Sequence, residues 1–345
     1  MCFYFCIFHM VQEHFGVYLN QSFLLGERNP KFFKNAGEYN LLAIKLISSF
    51  VLSVILVPIM IRIANKYNIV DKPDNKLKVH KSPIPYLGGV AVFLSILPFY
   101  YNDIGFIIPA SILTFIGLYD DIKSVSPYIR LFAEFIVVSM AIYFVGGIIE
   151  PFQFFILVLT GIALVNGVNM VDGMDGVCAG TAIVSLLFFS LISKNYELLI
   201  FAFAILGFLL YNLPPAKIFL GDAGSYLLGF TLFYSFSFLS GRSGRGGYFI
   251  SLIITGFYFT DLVYAVIRRL LSKRSPFLGD KEHIYDKIRK KYKIKPLFVA
   301  LVTYSISVFF GLIGLITWDF QIIGVIIVLM LFIFLGYHFK LYKYE

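Results

Sequence analysis

Five short strings in this 345-residue chain gather the residue types that handle phosphates and divalent cations. They are DKPDNKLKVHKSPIPYLGG at 71–89, YDDIKS at 119–124, NGVNMVDGMDG at 166–176, FLGDAGS at 219–225 and GDKEHIYD at 279–286. Asp120 and Asp121 are adjacent, and neighbours on a helix diverge by about 100°, so the two need not serve one ligand. Asp172 and Asp175 are three apart, and Asn166 and Asn169 repeat that spacing. If the stretch is helical, two amides and two carboxylates share a face that suits a hydrated divalent cation and a polar ligand. Asp222 lies between Gly221 and Gly224 at the start of an apolar run. The free N–H groups and positive end of such a helix start suit a phosphate. A carboxylate beside that phosphate repels it unless a cation sits between them. Mg2+ meets that need with few carboxylates, its shell completed by water and substrate phosphates. A lone Asp in such a place is more often a helix cap or a membrane-edge side chain; Asp103 reads that way, whereas five strings together point to a site. Zinc spacing is absent, and Cys2, Cys6 and Cys178 form no metal or disulfide pattern.

The elements that must carry these strings are membrane spans. Apolar residues make up 59% of the chain and charged ones 14%, with mean hydropathy +0.83. That balance excludes an ordinary soluble enzyme and a disordered protein. Eleven apolar runs follow one another: 41–64, 87–101, 104–119, 131–149, 152–168, 177–193, 198–213, 226–240, 248–267, 297–316 and 322–339. The fold expected is an all-α polytopic helical bundle of about eleven spans, several of them short enough to tilt, kink or sit among longer neighbours. Residues 1–40 read as an N-terminal extension, interfacial rather than spanning, and 41–345 as one membrane domain. With the N-terminus outside, 22 of the 29 basic residues fall at 62 or in the inner segments 65–86, 120–130, 166–176, 212–225, 268–296 and 340–345. This bias sets an N-out, C-in orientation. All five strings then lie on the inner side. The net charge of +9 reads as loop retention rather than nucleic-acid binding. GRSGRGG at 241–247 reads as an outer turn, and the lysines and arginines of 268–296 mainly as an anchor that meets anionic membrane lipids.

Together the strings resemble the polyprenyl-phosphate N-acetylhexosamine-1-phosphate transferase family, over roughly residues 41–340. The resemblance implies a cytosolic active site at the inner membrane that uses Mg2+, with Mn2+ as a substitute. It implies transfer of an N-acetylhexosamine 1-phosphate from a UDP-sugar to a polyprenyl phosphate, with release of UMP, for cell-envelope glycan synthesis. UDP-GlcNAc and undecaprenyl phosphate are the substrates expected, and a homodimer is an assembly left open. By the same resemblance Asp120, Asp121, Asp172 and Asp175 are catalytic, and Asp222 with Asp121 binds metal. Lys72, His80, Arg130, Asn166, Asn169, His283 and Tyr285 bind substrate. In the first loop Asp71, Lys72, Pro73, His80, Pro83, Pro85, Gly88 and Gly89 follow the family's D-x-P…H-x-x-P-x-P-x-x-G-G pattern. The last string has His283-Ile284-Tyr285 where the N-acetylglucosamine branch has H-x-H. The phospho-N-acetylmuramoyl-pentapeptide branch has a His-rich string there, so the donor sugar stays open. The alternatives are that muramoyl-pentapeptide transferase and, from another class, a transporter or lipid flippase. A flippase would place its ionisable residues near the bilayer midplane. A CDP-alcohol phosphotransferase lacks its D-G-x-x-A-R string here.

Overall fold

Within lipid every backbone N–H and C=O must find a partner inside its own segment, so apolar runs of this length become helices. A computed structural model describes residues 30–72, 83–146 and 150–344. Contacts divide the chain into units Met1–Ile47 and Ser48–Glu345; the fold and site below belong to the second. Among the described residues there are twelve helices: α1 (Pro30–Tyr67), α2 (Gly88–Tyr100), α3 (Ile104–Ile122), α4 (Pro127–Gly146), α5 (Pro151–Val171), α6 (Val177–Ser193), α7 (Leu198–Asn212), α8 (Gly221–Ile254), α9 (Gly256–Leu271), α10 (Ile284–Tyr292), α11 (Pro296–Ile316) and α12 (Gln321–His338). Two-residue strands β1 (Val70–Asp71) and β2 (Ile84–Pro85) pair antiparallel, Val70 with Pro85 and Asp71 with Ile84.

The protein is thus all-α and polytopic. Among the described residues, six helices are long and apolar enough to cross a membrane, or seven spans if the bent pair α8–α9 is counted as one. The apolar helices α2, α6 and α7 are shorter. The described part of each of the eleven apolar runs is helical to within a residue at its ends, but the ninth is cut. Helix α8 ends at Ile254, and α9 starts at Gly256. GRSGRGG is tighter than a loop: its residues are helical except at Gly244, whose φ of 57° breaks the helix. The chain folds back there, so that the Ser251 hydroxyl comes within 3.5 Å of the Phe236 carbonyl. Helix α10 is an amphipathic turn of chain inside the last basic loop, with Ile284, Tyr285 and Ile288 buried.

Helix α8 is the hub. It packs against α2, α3, α4, α5, α6, α11 and α12, and its Tyr226, Phe230, Phe233 and Phe236 side chains are fully buried. Phe230 joins an aromatic cluster with Phe106, Phe201, Tyr100 and Tyr234, in which Phe106 lies 4.8 Å from Phe201 and 5.5 Å from Phe230. Hydroxyls inside this apolar interior bond back along their own helices, as Ser95 does to Ala91 and Thr231 to Leu227. Asp103 has the structural role expected of it. One oxygen caps α3 at the Phe106 N–H, and the other accepts from the Tyr234 hydroxyl at 2.6 Å.

Close helix crossings set the site's frame. A Cβ on Gly89 would lie 2.1 Å from Gly224, and one on Gly117 would lie 2.5 Å from the Asp222 carbonyl. The loop before α2 runs beside the segment before α8. Phe219 N–H donates to the Pro85 carbonyl, and the Gly88 and Gly89 N–H groups donate to Phe219 and Leu220. Small residues therefore press the first inner loop, the end of α3 and the start of α8 together.

Candidate active site

The ends of α3 and α5 meet the starts of α4 and α8, and this junction gathers four of the five strings. Asp121 reaches across to α8. Its two oxygens accept the Asp222 N–H at 2.9 Å and the Ala223 N–H at 3.2 Å, capping α8 from another helix. Gly221 makes this possible: its φ is +74°, and a Cβ there would meet Tyr86 O at 2.5 Å and Asp121 Oδ2 at 2.6 Å. Asp120 faces elsewhere. It accepts from the Val125 N–H, from Arg130 at 3.2 Å and from the Tyr226 hydroxyl at 3.1 Å. Arg130 also donates to the Tyr226 oxygen, so Asp120, Arg130 and Tyr226 form a closed triangle. The two aspartates diverge, as adjacent residues on a helix do.

Asp172 and Asp175 do not share a helix face. Helix α5 stops at Val171, and 172–176 is a turn. The physical reason lies in Gly173 and Gly176, the second with φ +76°. Asp175 accepts the Ala216 N–H at 3.0 Å. The Gly176 N–H goes to the Asn212 side chain and the Gly176 carbonyl to the Tyr304 hydroxyl. Asp172 accepts no hydrogen bond from a described residue, and neither does the Asp222 side chain. Burial, followed by the charges of Asp222, Asp121 and Asp175, pushes the Asp172 carboxyl well above its usual range. Carboxylates crowded in this way, two of them lacking donors, are what a divalent cation offsets. Among the described residues no three His, Cys, Asp or Glu side chains form a complete cage. The arrangement fits an ion whose shell includes water and substrate oxygens, and Asp172 and Asp222 are the groups able to hold it.

Asn169 accepts from the Ser225 hydroxyl at 2.7 Å, which ties α5 to α8. Asn166 donates to Glu134 on α4. The Tyr86 hydroxyl, just before α2, is raised above its usual pKa by burial and then by the charges of Asp71, Asp121 and Asp222. Lys72 is exposed. Pro73 and His80 lie outside the described residues.

The fifth string meets the junction through Tyr285. Its hydroxyl donates to the Met170 carbonyl at 3.1 Å, and a Cβ on Gly173 would lie 2.0 Å from it. His283 stacks on Tyr285 with ring centroids 5.5 Å apart. His283 Nδ1 is 2.6 Å from Asp261 Oδ2, and Nε2 is 3.5 Å from Asp280 Oδ1. Burial works against a charged ring, but Asp261, then Asp280 and Asp286, outweigh it and raise the His283 pKa. Arg268 and Arg269 are not surface anchors: 1% and 2% exposed, they pair with Asp280. Against its burial, those arginines and His283 hold the Asp280 carboxyl down at about 2. The tail after α12 completes the cluster. Leu341 O accepts from Arg268 at 2.6 Å, Lys343 O from Lys287 at 3.1 Å, and the Tyr344 hydroxyl donates to Asp280 at 3.2 Å.

The sequence reading passed over Glu134, Asp261, Tyr226, Ser225 and Tyr86. For the first two a signal existed, since each is a lone acid within an apolar run. Tyr86 and Ser225 lie inside two of the five strings and Tyr226 directly follows one, but each is a common residue type that the strings do not single out.

A multi-pass helical membrane protein with an acid- and amide-rich junction of helix ends is the class defined by this geometry. Residues 104–239 match the model of glycosyl transferase family 4. The undecaprenyl-phosphate alpha-N-acetylglucosaminyl 1-phosphate transferase of Thermotoga maritima is 36% identical over 281 residues, covering 78% of this chain and 87% of that protein. The Escherichia coli K12 protein of the same name is 31% identical over 288 residues, 73% of this chain and 78% of its own. That of Salmonella typhi is 30% identical over 301 residues, 77% and 82%. The chain belongs to glycosyl transferase family 4.

Proposed function

We propose that this chain transfers N-acetylglucosamine 1-phosphate from UDP-GlcNAc to undecaprenyl phosphate at the cytoplasmic face of the inner membrane. The observation that carries the reading is the pair of carboxylates, Asp172 and Asp222, without hydrogen-bond donors among the described residues where α5 ends and α8 begins. All three relatives described above are named as undecaprenyl-phosphate alpha-N-acetylglucosaminyl 1-phosphate transferases, which supports this acceptor and this sugar.

An oxygen of the lipid phosphate attacks the sugar-bearing phosphorus of the UDP-sugar. The bond from that phosphorus to the bridging oxygen breaks, and UMP leaves with the bond's electrons. A phosphate monoester is largely ionised near pH 7, so the nucleophile needs positioning more than deprotonation. Asp172 and Asp222 are the residues that would hold Mg2+, which when bound would supply positive charge to offset the diphosphate. Asp121 holds the α8 N-terminus in place by accepting the Asp222 and Ala223 N–H groups, which aims the Asp222 carboxylate. Arg130, tied to Asp120 and Tyr226, supplies positive charge at the same junction. Tyr285 fixes the turn that carries Asp172.

The test is UMP release by purified protein with UDP-GlcNAc, undecaprenyl phosphate and Mg2+, alongside a panel of other UDP-N-acetylhexosamines. Asp222→Asn is expected to lower turnover by about a hundredfold or more. Wild-type turnover in that variant sinks the metal-ligand role, and preference for another sugar replaces the donor.

A further inference from the structure

Glu134 is 1% exposed and is the one charged residue in the apolar run 131–149. A carboxylate in that setting is costly and needs a compensating role. Arg130 lies one turn earlier on α4, but its Nη1 is committed to Asp120 and Tyr226. The direct partner of Glu134 is across the helix interface: Asn166 Nδ2 donates to Glu134 Oε2 at 2.5 Å. The same Nδ2 donates to the Ile162 carbonyl at 2.9 Å. An amide nitrogen has two hydrogens, and both are spent. Turning the amide over would set its oxygen against the Ile162 carbonyl, which has no proton to give, so the orientation with Nδ2 toward both groups is preferred. The remaining atom, Oδ1, receives no hydrogen bond from a described residue. Asn166 is half-buried, one turn before Asn169 on the helix that ends at Asp172. Held in this way it presents an acceptor and no donor, so it selects an N–H or O–H group and offers nothing to a phosphate oxygen.

Resting on the transferase reading above, we propose that Glu134 is a positioning residue for sugar recognition. It pins the Asn166 amide so that Oδ1 accepts a hydrogen bond from an N–H or O–H of the donor sugar. The hydrogen bond through which it acts spans α4 and α5, so Glu134 itself need not touch substrate.

The experiment measures UMP release against UDP-GlcNAc concentration for wild type, Glu134→Gln, Glu134→Leu, Asn166→Ala and the Glu134→Leu/Asn166→Ala pair. Wild-type turnover tests the transferase reading by itself, and the cycle of variants tests the pinning. Glutamine keeps the length and an acceptor oxygen, so Glu134→Gln is expected to stay within about threefold of wild type in KM. Leucine removes the acceptor, and Glu134→Leu is expected to raise KM by about tenfold with kcat little changed. In the Asn166→Ala background the same leucine substitution is expected to add less than about twofold, because its only route of action is gone. Equal losses in both backgrounds overturn the proposal, as does a glutamine variant as impaired as the leucine one. A higher Mg2+ requirement at unchanged KM for UDP-GlcNAc also overturns it, since Oδ1 would then face metal-bound water. If Glu134→Leu yields no folded protein by thermal unfolding, Glu134→Ala takes its place in the cycle with the same expectations.

Discussion

Asp261 accepts from both the ring and the backbone of the last inner string: Oδ2 faces His283 Nδ1 at 2.6 Å, and Oδ1 takes the Ile284 N–H at 2.8 Å. The charge on His283 is therefore part of the fold. Its folded pKa is raised above the unfolded 6.5. The stabilisation is fully present below pH 6.5 and is lost as pH rises through the folded pKa. Thermal unfolding of the purified protein is expected to show a midpoint that falls as pH is raised above 6.5. Asp261→Asn is expected to cost about 3 kcal/mol at low pH and to flatten that dependence. A variant with the wild-type pH slope would remove Asp261 from the account. At this scale the sequence was legible where residues cluster in strings. Asp120, Asp121, Asn169, Asp172, Asp175 and Asp222 lie at one junction, with Asn166 one turn back on α5 bonded to Glu134. What each one bonds to was not legible, because partners such as Glu134 and Asp261 come from other spans. The division between Asp121, which caps a helix, and Asp222, which has no donor, depends on which helix end faces which.

Between elements, the decisive contacts are crossings with no room for a side chain. On α3, Gly117 lies against the first turn of α8, the turn that bears Asp222. Gly117→Ala would force α3 and α8 apart and weaken the cap that Asp121 places on α8. The expected cost is about 1–3 kcal/mol in thermal stability, with a fall in turnover larger than the stability loss explains. Unfolding and UMP release, measured on the same preparation, check both, and an alanine variant equal to wild type would show the crossing to be loose. Hydropathy located every helix of the bundle's apolar part, since lipid leaves such runs no other fold. It missed the cut at Thr255, where one run serves two helices, and the helix α10, whose apolar face is only nine residues long.

For the molecule as a whole, the basic-residue bias predicts an N-out, C-in orientation, under which Lys72 and Arg245 would lie on opposite sides. Both positions are exposed. In a background with Cys2 and Cys6 replaced by serine, Arg245→Cys is expected to react with an impermeant maleimide in intact spheroplasts. Lys72→Cys is expected to react only after the membrane is opened, and the reverse pattern would invert the topology.

The contacts of residues 341–344 also bear on biosynthesis. Ribosomes extend a chain from its N-terminus, so every span through α12 is made before Leu341, Lys343 and Tyr344 emerge. Until then Arg268 and Lys287 lack the carbonyls they donate to, and Asp280 lacks the Tyr344 hydroxyl. The segment that presents His283 and Tyr285 to the Asp172 turn is thus the last part of the site to be secured. A nascent chain can insert its whole bundle with this segment held by Asp261, Met170, Arg268 and Arg269, and the remaining bonds form once residues 341–344 have emerged.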